Sequence, residues 1–389
     1  VLIDKFLPRR DWLNQLKWRG SWSVVGNPIP NTLFARQSYD FSNGTISTRP
    51  PLFDDPQPET TTSFETGLDV WMFENKFNFD LTYYNSTLRN QFLYVTTANG
   101  ESKPVNTGKI RNYGLEFQAS YRWNINKDWR WQTGFNIAWN DNRILETYKT
   151  ESGAPYEVQM GPNAFKIKYV EGGRYGDIYV NSFARDENGH IKINDAGNYE
   201  NAVPVMASGK YETKVGNMTS PVTLGWNNTF TWKNFTLYFL IDGRIGGKVM
   251  SLTEADLDLY GLSERSAQDR LNGERVMQNG KEYILKPLPD GSGNKVSVEN
   301  YYTTIGALPM EDHVYNATSL RMRDISLSYD MPNLFGKNQG MTAQFSVKNA
   351  FFIYKDSPVD PDISVSAANG YSGIDCYSLP TTRSFALTL

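Results

Sequence analysis

The sequence of 389 residues lacks the residue types that usually build disulfides and zinc centres. Its single cysteine, Cys376, excludes an internal disulfide framework, and no CxxC or Cys/His zinc spacing occurs. The net charge of −3 provides no basic excess for a nucleic-acid partner. No run of about eighteen apolar residues is present, so no helix is expected to span a membrane.

Aromatic residues, in contrast, are plentiful and alternate with polar residues over long stretches. Aromatics make up 14% of the chain, with 23 tyrosines and 10 tryptophans. A period of two predicts β-strands, and these runs are about twice the usual five or six residues. Long strands with aromatic ends and a strongly polar opposite face are typical of a transmembrane β-barrel. Only every second residue of such a strand faces lipid, which explains the low mean hydropathy of −0.52. The apolar members of three consecutive runs are Phe77, Phe79, Leu81 and Tyr83; Leu115, Phe117, Ala119, Tyr121 and Trp123; and Trp129, Trp131, Thr133, Phe135, Ile137 and Trp139.

Turn lengths give the predicted topology. Short turns at 74–75, 124–128, 233–234 and 332–340 alternate with mostly long connections, which places the short turns on the periplasmic side. The expected fold is all-β, a transmembrane antiparallel β-barrel with long extracellular loops. A soluble β-sandwich, such as a glycan-binding lectin without transport activity, is the alternative, because its strands also alternate. The predicted strands are 12–25, 59–73, 76–96, 105–124, 128–148, 221–232, 234–249, 315–331, 341–354 and 380–389.

The alternation also predicts which side chains face lipid and which face the lumen. A register slip of one residue would expose the charged face to lipid. The residues expected to point outward are Phe77, Phe79, Leu81, Phe117, Phe135, Ile137, Leu224, Phe239, Ile325, Leu327, Phe345 and Val347. The residues expected to line a wet lumen, where a plug would contact them, are Glu116, Gln118, Arg122, Arg130, Gln132, Asn136 and Asn140.

Several motifs resemble those of the SusC/RagA-like TonB-dependent outer-membrane transporters. The segment 317–329 (ATSLRMRDISLSY) resembles the family's strand A-S-x-h-R-L-R-x-h-S-L-G-Y, and 347–354 (VKNAFFIY) resembles its strand x-x-N-L-F-x-x-Y. The segments 358–362 (PVDPD), 370–375 (GYSGID) and 379–384 (LPTTRS) match the family's x-x-D-P-E/D turn, closing loop and final strand. Upstream, 59–69 with Lys76 and 106–116 resemble its hairpin and strand-opening motifs, and 175–179 and 298–302 are similar to its loop motifs. The resemblance runs from about Trp18 to Leu389.

The resemblance implies import of oligomeric nutrients across the bacterial outer membrane. Residues 1–389 would form the C-terminal part of a barrel of about twenty-two strands, whose plug domain, TonB box and N-terminal strands are absent from this chain. The implied partners are TonB, acting through the absent N-terminal region, a SusD-like surface lipoprotein, outer-membrane lipid, and the remaining strands and plug of the same transporter. Glycan fragments are the expected cargo and oligopeptides the alternative.

The two ends of the sequence carry further expectations. The chain begins at Val1 without an export signal, so we expect a piece of a longer protein. The strand around 16–25 and the final strand are then expected to be edges that do not pair with each other. The terminal aromatic residue of many family members is missing, so either further residues follow or Leu389 takes its place.

No catalytic, metal-binding or cofactor site is predicted, and the protein is not expected to be an enzyme. His190 and His313 have no nucleophile motif near them, and both are predicted to be solvated loop residues. Two acidic pairs could suggest calcium sites, but the EF-hand spacing is absent and a role in loop turns is favoured for Asp54 with Asp55 and for Asp360 with Asp362. The sequence does not identify the substrate-binding residues.

The long loops are predicted to contain one helix, at 253–271, which packs either on neighbouring loops or on a partner. They also carry many aromatic residues, which could stack on sugar rings or contact a lid protein. For any single tyrosine, a place in a small apolar core within the loops is favoured. These residues are Tyr156, Phe165, Tyr169, Tyr175, Tyr179, Tyr199, Tyr211, Tyr260, Tyr283, Tyr301, Tyr302, Tyr371 and Tyr377.

Overall fold

Ten strands form one antiparallel sheet in which each strand pairs with its neighbours in sequence order. The computed structural model describes residues 1–6, 8, 10–28, 38–42, 45–49, 57–96, 102–150, 153–154, 156–160, 165–307, 311–336, 339–362, 364–365 and 373–389. The strands of this sheet are β1 (Leu13–Asn27), β2 (Glu59–Met72), β3 (Phe77–Thr96), β4 (Ser102–Asn124), β5 (Trp129–Glu146), β6 (Val222–Trp232), β7 (Phe235–Ile245), β8 (Ser319–Gly336), β9 (Gln339–Lys355) and β10 (Ser384–Thr388). The prediction of ten up-and-down strands is confirmed.

The largest difference from the predicted bounds lies at the turn between β8 and β9. The sequence predicted a turn over 332–340, whereas β8 continues to Gly336 and β9 begins at Gln339. The pairing shifts between Met331 and Gly336, and the ladder then resumes with Gly336 opposite Gln339. In this stretch four residues of β8 (332–335) face only Gly340 of β9, and this irregularity carries the strand past Pro332, which has no N–H to donate to the ladder.

The apolar face of the sheet is open, as predicted. None of the twelve residues expected to point outward is buried, and none belongs to a buried apolar cluster of the described chain. Most of their ring contacts join adjacent strands, for example Phe79 with Phe117 at 6.1 Å between ring centroids. The alternative of a sandwich, whose apolar face packs on a second sheet, is therefore wrong.

Aromatic rings form a row along the short-turn end of this open face. Trp129 stacks on Trp232 at 5.6 Å, Trp232 on Phe235 at 6.0 Å, and Phe235 lies 4.5 Å from Tyr329, each between ring centroids. This row, which we call the aromatic belt, runs across four strands. Amphipathic rings at one level of a sheet are typical of the interface between hydrocarbon and lipid headgroups.

The sheet is not closed. Within the described chain, β1 pairs only with β2 in this sheet and β10 pairs only with β9. The first and last strands are thus its two edges, which confirms the prediction that they do not pair with each other. Among the described residues, no helix is both long and apolar enough to cross a membrane.

The connections on the side opposite the short turns fold into a structure of their own, which we call the loop assembly (165–218, 248–316 and 373–375, where described). It contains α1 (Leu252–Leu259), α2 (Glu264–Asn272), α3 (Val298–Ala307) and the 3₁₀ turn Glu311–His313; a further 3₁₀ turn, Ile3–Phe6, precedes β1. Its short strands are Lys166–Tyr169, Asp177–Val180, Ile193–Asn194, Val203–Pro204, Thr213–Asn217, Lys248–Ser251, Glu274–Gln278, Lys281–Pro287, Lys295–Ser297, Val314–Asn316 and Ile374–Asp375. The strand Val158–Met160, just before the assembly, pairs with Lys166–Tyr169. A separate hairpin joins Ser38–Ser42 to Thr45–Arg49.

The single helix predicted at 253–271 is two helices. Gly261 adopts a φ of +66° after α1, a conformation that favours glycine and ends the helix. Ser263 then begins α2, because its side chain accepts a hydrogen bond from the backbone N–H of Ser266. The helix α3 was not predicted, since its segment had been recognised only as a loop motif.

Candidate functional site

The inner face of the sheet is polar, and its side chains connect strands that are not neighbours. Arg19 on β1 crosses β2 at Gly67 and forms an ion pair with Asp80 on β3, where Thr82 also accepts a hydrogen bond from it. A Cβ at Gly67 would lie 3.0 Å from Nε of Arg19 and 2.8 Å from the carbonyl oxygen of Leu81. The missing side chain at Gly67 is therefore what allows the arginine to pass.

A second crossing of the same kind joins β3 to β5. The amide of Asn140 donates a hydrogen bond of 2.5 Å to the hydroxyl of Tyr84, which passes over Gly114 on β4. A Cβ at Gly114 would lie 2.5 Å from that hydroxyl and 2.3 Å from the carbonyl oxygen of Trp139. Asn140 is partly buried as a result, whereas the other residues predicted to line the lumen are exposed on this face.

Three arginines and three aspartates form a partly buried network at the loop end of the inner face, which we call the arginine clasp (Arg244, Arg321, Arg323, Asp242, Asp360 and Asp362). Arg323 lies 2.5 Å from Asp242 and 2.7 Å from Asp362, measured from Nη2 to Oδ2. Arg321 lies 2.5 Å from Asp360, and Arg244 pairs with Asp362. The clasp fastens the turn 358–362 to the inner wall at β7 and β8.

Asp360 and Asp362, the second acidic pair, lie within the clasp, where both form ion pairs with arginines. Burial of Asp360 opposes its ionisation, but hydrogen bonds from the Thr381 hydroxyl and the Asp362 amide, with the charge of Arg321, hold its pKa below the ordinary value. Its carboxylate thus has cationic and hydrogen-bonding partners from the protein itself. No described group of three or more His, Cys, Asp or Glu side chains could hold a metal ion. Asp54 and Asp55 lie outside the described residues.

Sequence reasoning did not assign these arginines to the site. Arg321 and Arg323 had been noted only as part of a family motif, and Arg244 not at all. The sequence does contain a pattern that could have predicted the clasp. Three arginines lie near the ends of two paired strands, and an Asp-Pro-Asp turn follows them. Buried cations require nearby carboxylates.

His313 is not a solvated loop residue, and that prediction is wrong. Its side chain is 0% exposed, and Nε2 lies 2.9 Å from Oδ2 of Asp258, which is also 0% exposed. Burial alone would raise the pKa of Asp258, but hydrogen bonds from His313, Arg265 and Ser263 lower it below the ordinary value. The buried imidazole of His313 thus has a hydrogen-bond partner in Asp258. His190 is on a partly exposed turn, 3.7 Å from Asp186, in agreement with its prediction.

The buried trio of Ser263, Asp258 and His313 does not have the geometry of a nucleophile with its base. The Ser263 hydroxyl donates to Oδ1 of Asp258 at 2.5 Å rather than to the imidazole. Ser263 is also 1% exposed and caps α2, so an external substrate could not reach its oxygen. The cluster holds α1, α2 and the 3₁₀ turn together.

A cavity of about 450 Å³ opens beside the clasp, between the end of β9 and the approach to β10. Arg321, Asp360 and Thr381 form one wall. Lys355 and Arg383 also line the cavity, and neither forms an ion pair with a described carboxylate. Tyr377 stands at its rim with 63% of its surface exposed, and its hydroxyl donates to Asp256 at 2.7 Å. Cavities of this size with a few convergent polar groups are typical small-molecule sites.

Of the twelve predicted loop aromatics that the structure describes, five are buried, five are partly buried and two are exposed. Phe165, Tyr169, Tyr283, Tyr301 and Tyr302 are buried, which confirms the favoured interpretation for these residues. Tyr260, with 72% of its surface exposed, and Tyr377 are the two clear exceptions. Tyr371 lies outside the described residues.

Comparison with known proteins identifies relatives of the whole chain. Residues 5–242 match the model of the family described as TonB dependent receptor-like, beta-barrel. The TonB-dependent receptor SusC of Bacteroides thetaiotaomicron is 25% identical over 418 residues, covering 99% of this chain and 38% of the relative. TonB-dependent receptor P3 of Formosa agariphila is 23% identical over 427 residues, covering 99% of this chain and 40% of the relative.

The fold is similar to that of a solved transporter. The structure of the RagAB peptide transporter aligns with a TM-score of 0.68 and 16% identity, covering 99% of this chain and 42% of that one. At this identity the similarity concerns the fold. The chain spans about two fifths of the length of the relatives it matches.

Proposed function

Because the chain belongs to the TonB-dependent receptor-like β-barrel family of the bacterial outer membrane, we propose that it forms part of a transporter. The proposed activity is the import of oligomeric nutrients. The main support for the proposal is that the two faces of the sheet differ in polarity. The outward face is open and aromatic, while the inward face is polar and connected by the Arg19 and Tyr84 crossings. Such a sheet suits the wall between lipid and an aqueous passage.

We propose that residues 1–389 are the C-terminal part of the barrel. The open edges at β1 and β10 support this assignment, because an unpaired backbone N–H or C=O group in hydrocarbon costs several kcal/mol. Further strands of the same transporter would pair with them, and its plug would occupy the lumen. TonB would act from the periplasm through that plug.

The proposed partner on the outside is a SusD-like surface lipoprotein that covers the loop assembly. The buried cores of the loop assembly would hold its surface in a fixed shape. The lipoprotein could contact the two exposed tyrosines, Tyr260 and Tyr377. Glycan fragments are the first candidate cargo, in keeping with the SusC-like motifs. Oligopeptides are the second, because the RagAB neighbour is described as a peptide transporter.

We propose that the protein moves its cargo without cleaving it. The family comprises receptors and transporters, and the hydroxyl of the buried Ser263 donates its hydrogen bond to Asp258 rather than to an imidazole. The purified transporter should therefore hydrolyse neither oligosaccharides nor peptides. Reproducible turnover that disappears when Glu116→Gln is introduced into the inner face would contradict this part of the proposal.

Import can be tested by deleting the gene in its source bacterium and measuring growth on single oligosaccharides or peptide mixtures. We expect loss of growth on one class of oligomer, normal growth on the matching monomer, and recovery with the full-length gene. Removing TonB function should produce the same loss. Unchanged growth on every oligomer of both classes would contradict import, and fractionation of the protein away from the outer membrane would contradict its role as a membrane wall.

A further inference from the structure

Four cationic side chains lie together on the outward face of the sheet, near its loop end. Arg89 is on β3, Lys109 and Arg111 are on β4, and Arg143 is on β5. Arg111 is directly opposite Arg143 in the sheet, and Arg89 is directly opposite Lys109. We call these four residues the basic patch.

The strand register places the basic patch on the face that meets lipid. Lys109 and Arg111 are separated from the outward-facing Phe117 by an even number of residues on β4. The pairing of β4 with β3 has no register shift from Phe117 to Lys109, and its pairing with β5 has none from Phe117 to Arg111. Side chains in a strand alternate between faces, so the four cations are on the outward face, whereas Ile110 is buried on the other.

The basic patch lies just beyond a pair of aromatic rings at the loop end of this face. Tyr113 and Trp139 meet edge to face, with 5.7 Å between their ring centroids. Arg111 is two residues nearer the loops than Tyr113, and its guanidinium carbon lies 4.9 Å from the Tyr113 ring centroid. Because amphipathic rings on the outside of a barrel mark the level of the lipid headgroups, the basic patch is at headgroup level on the extracellular side.

The carboxylates near the basic patch neutralise only part of its charge. Lys109 forms an ion pair with Glu146, with 2.8 Å between Nζ and Oε1. Arg143 lies 3.8 Å from Oδ2 of Asp141, measured from Nε. The same Asp141 carboxylate is also paired with Arg174 of the loop assembly, at 2.6 Å between Nε and Oδ1. The basic patch therefore keeps an excess of positive charge.

Two of the four cations have no carboxylate partner in the part of the chain that the structure describes. These are Arg89 and Arg111. Arg111 donates instead from Nε to the amide oxygen of Asn85, at 3.0 Å, which leaves its charge unneutralised. Like charges directly opposite each other on neighbouring strands are destabilising, and Arg111 with Arg143 is such a pair. An anion bound between the two guanidinium groups would offset this repulsion.

We propose that the basic patch binds the phosphate group of an anionic lipid in the outer leaflet of the membrane. Arginine presents a planar fork of N–H groups, which matches the geometry of a phosphate through parallel hydrogen bonds. The position of the patch beside aromatic rings, on the side away from the lumen, brings lipid headgroups to these side chains. The proposal depends on the sheet being a membrane wall and not on which nutrient the protein carries.

The inference can be tested by native mass spectrometry of the full-length protein in detergent micelles, with lipid A as the probe. Lipid A that carries its phosphate groups should bind at least tenfold more tightly than dephosphorylated lipid A, which has the same acyl chains. Inorganic phosphate at the same concentration should not displace it. Equal binding of the two forms of lipid A, or displacement by inorganic phosphate, would overturn the inference.

Variants of the basic patch locate the binding. The triple variant Arg89→Gln, Arg111→Gln and Arg143→Gln should weaken the binding of phosphorylated lipid A at least tenfold. The corresponding arginine-to-lysine triple variant keeps the charge and should retain most of the binding. Heat-modifiable gel mobility identifies the variants that still form a folded barrel. Unchanged binding in a folded triple-glutamine variant would overturn the inference.

A matched control removes the same number of charges from the loop assembly. Lys192→Gln, Lys210→Gln and Lys281→Gln change exposed residues there, and the binding of phosphorylated lipid A should stay unchanged. An equal loss of binding in this control would show that the basic patch is not the site, and would overturn the inference. Lipid binding is measured without any nutrient, so its failure is distinguishable from failure of the proposed function.

Discussion

The ten-stranded sheet and the loop assembly are stabilised in opposite ways. The sheet leaves its large apolar residues open on one face and connects polar residues such as Arg19 and Asp80 on the other. The loop assembly buries apolar clusters around Phe165 and Tyr301 and places charged groups such as Asp258 inside. The apolar face of the sheet therefore depends on contact with lipid, whereas the loop assembly has apolar cores of the kind found in soluble proteins.

The largest effect is expected where the loop assembly buries charge. Asp258→Ala would leave Arg265 and His313 without their shared carboxylate, and breaking a buried ion pair typically costs about 3–5 kcal/mol. We expect rapid proteolysis and hydrogen exchange throughout 252–313, while the sheet keeps its heat-modifiable gel mobility. Asp186→Ala, on an exposed turn, is the control and should change neither. Loss of the folded sheet together with the loops would contradict the separation of the two regions.

A smaller effect is expected from a charge on the lipid side of the sheet. Phe117→Arg places a cation near the middle of the outward face, where the cost is about 2–4 kcal/mol for a barrel strand. Gln118→Arg, one residue along on the inner face, should cost far less. Urea unfolding of the full-length protein in phospholipid vesicles measures the free energy of unfolding of both variants. Equal destabilisation by the two variants would mean that the faces are not distinguished by lipid.

The crossings on the inner face should be sensitive to a single methyl group. Gly114→Ala would place a Cβ within 2.5 Å of the Tyr84 hydroxyl, and overpacking of this kind typically costs about 1–3 kcal/mol. Gly26→Ala is the matched control, because the nearest atom to its Cβ would be 3.9 Å away. The same unfolding measurement applies. A neutral Gly114→Ala would show that Tyr84 can leave its position at no cost.

The smallest effect is a pH dependence confined to the loop assembly. Burial opposes ionisation of Asp290, but hydrogen bonds from the Ser292 hydroxyl and from the Ile191 and Ser292 amides lower its pKa from 3.8 to about 2. Since the folded pKa is depressed, the stabilisation is present above pH 3.8 and is lost as the pH falls toward about 2. Pepsin cleavage within 183–205 should therefore increase over this window.

The control for this pH effect is Asp290→Asn, which cannot titrate. Its cleavage by pepsin should follow only the pH dependence of the protease itself. If the natural protein and this variant respond to pH identically, the hydrogen bonds of Asp290 do not stabilise the loop.

The sheet could be predicted from the sequence because its pattern is local. In Leu115 to Trp123 every second residue is apolar, and this rule predicts the strand and its outward face, while the turn lengths predict its neighbours. The loop assembly lacks such a rule. Its cores combine residues far apart in sequence, such as Phe183 and Tyr301, and α3 is fastened by Asn300, whose amide donates to the carbonyl oxygen of Ala202. The burial of His313 depended on a partner 55 residues away, which no local spacing could reveal.

The most direct test of the division between the two faces is a spin-label scan along β4. Single cysteines are placed from Leu115 to Trp123 in the full-length protein, with Cys376→Ser to remove the native thiol, and the protein is reconstituted into bilayers. We expect accessibility to oxygen, which concentrates in lipid, to peak at 115, 117, 119, 121 and 123 and to fall at the even positions. Accessibility without a two-residue period, or with its maxima at the even positions, would contradict a lipid-facing wall.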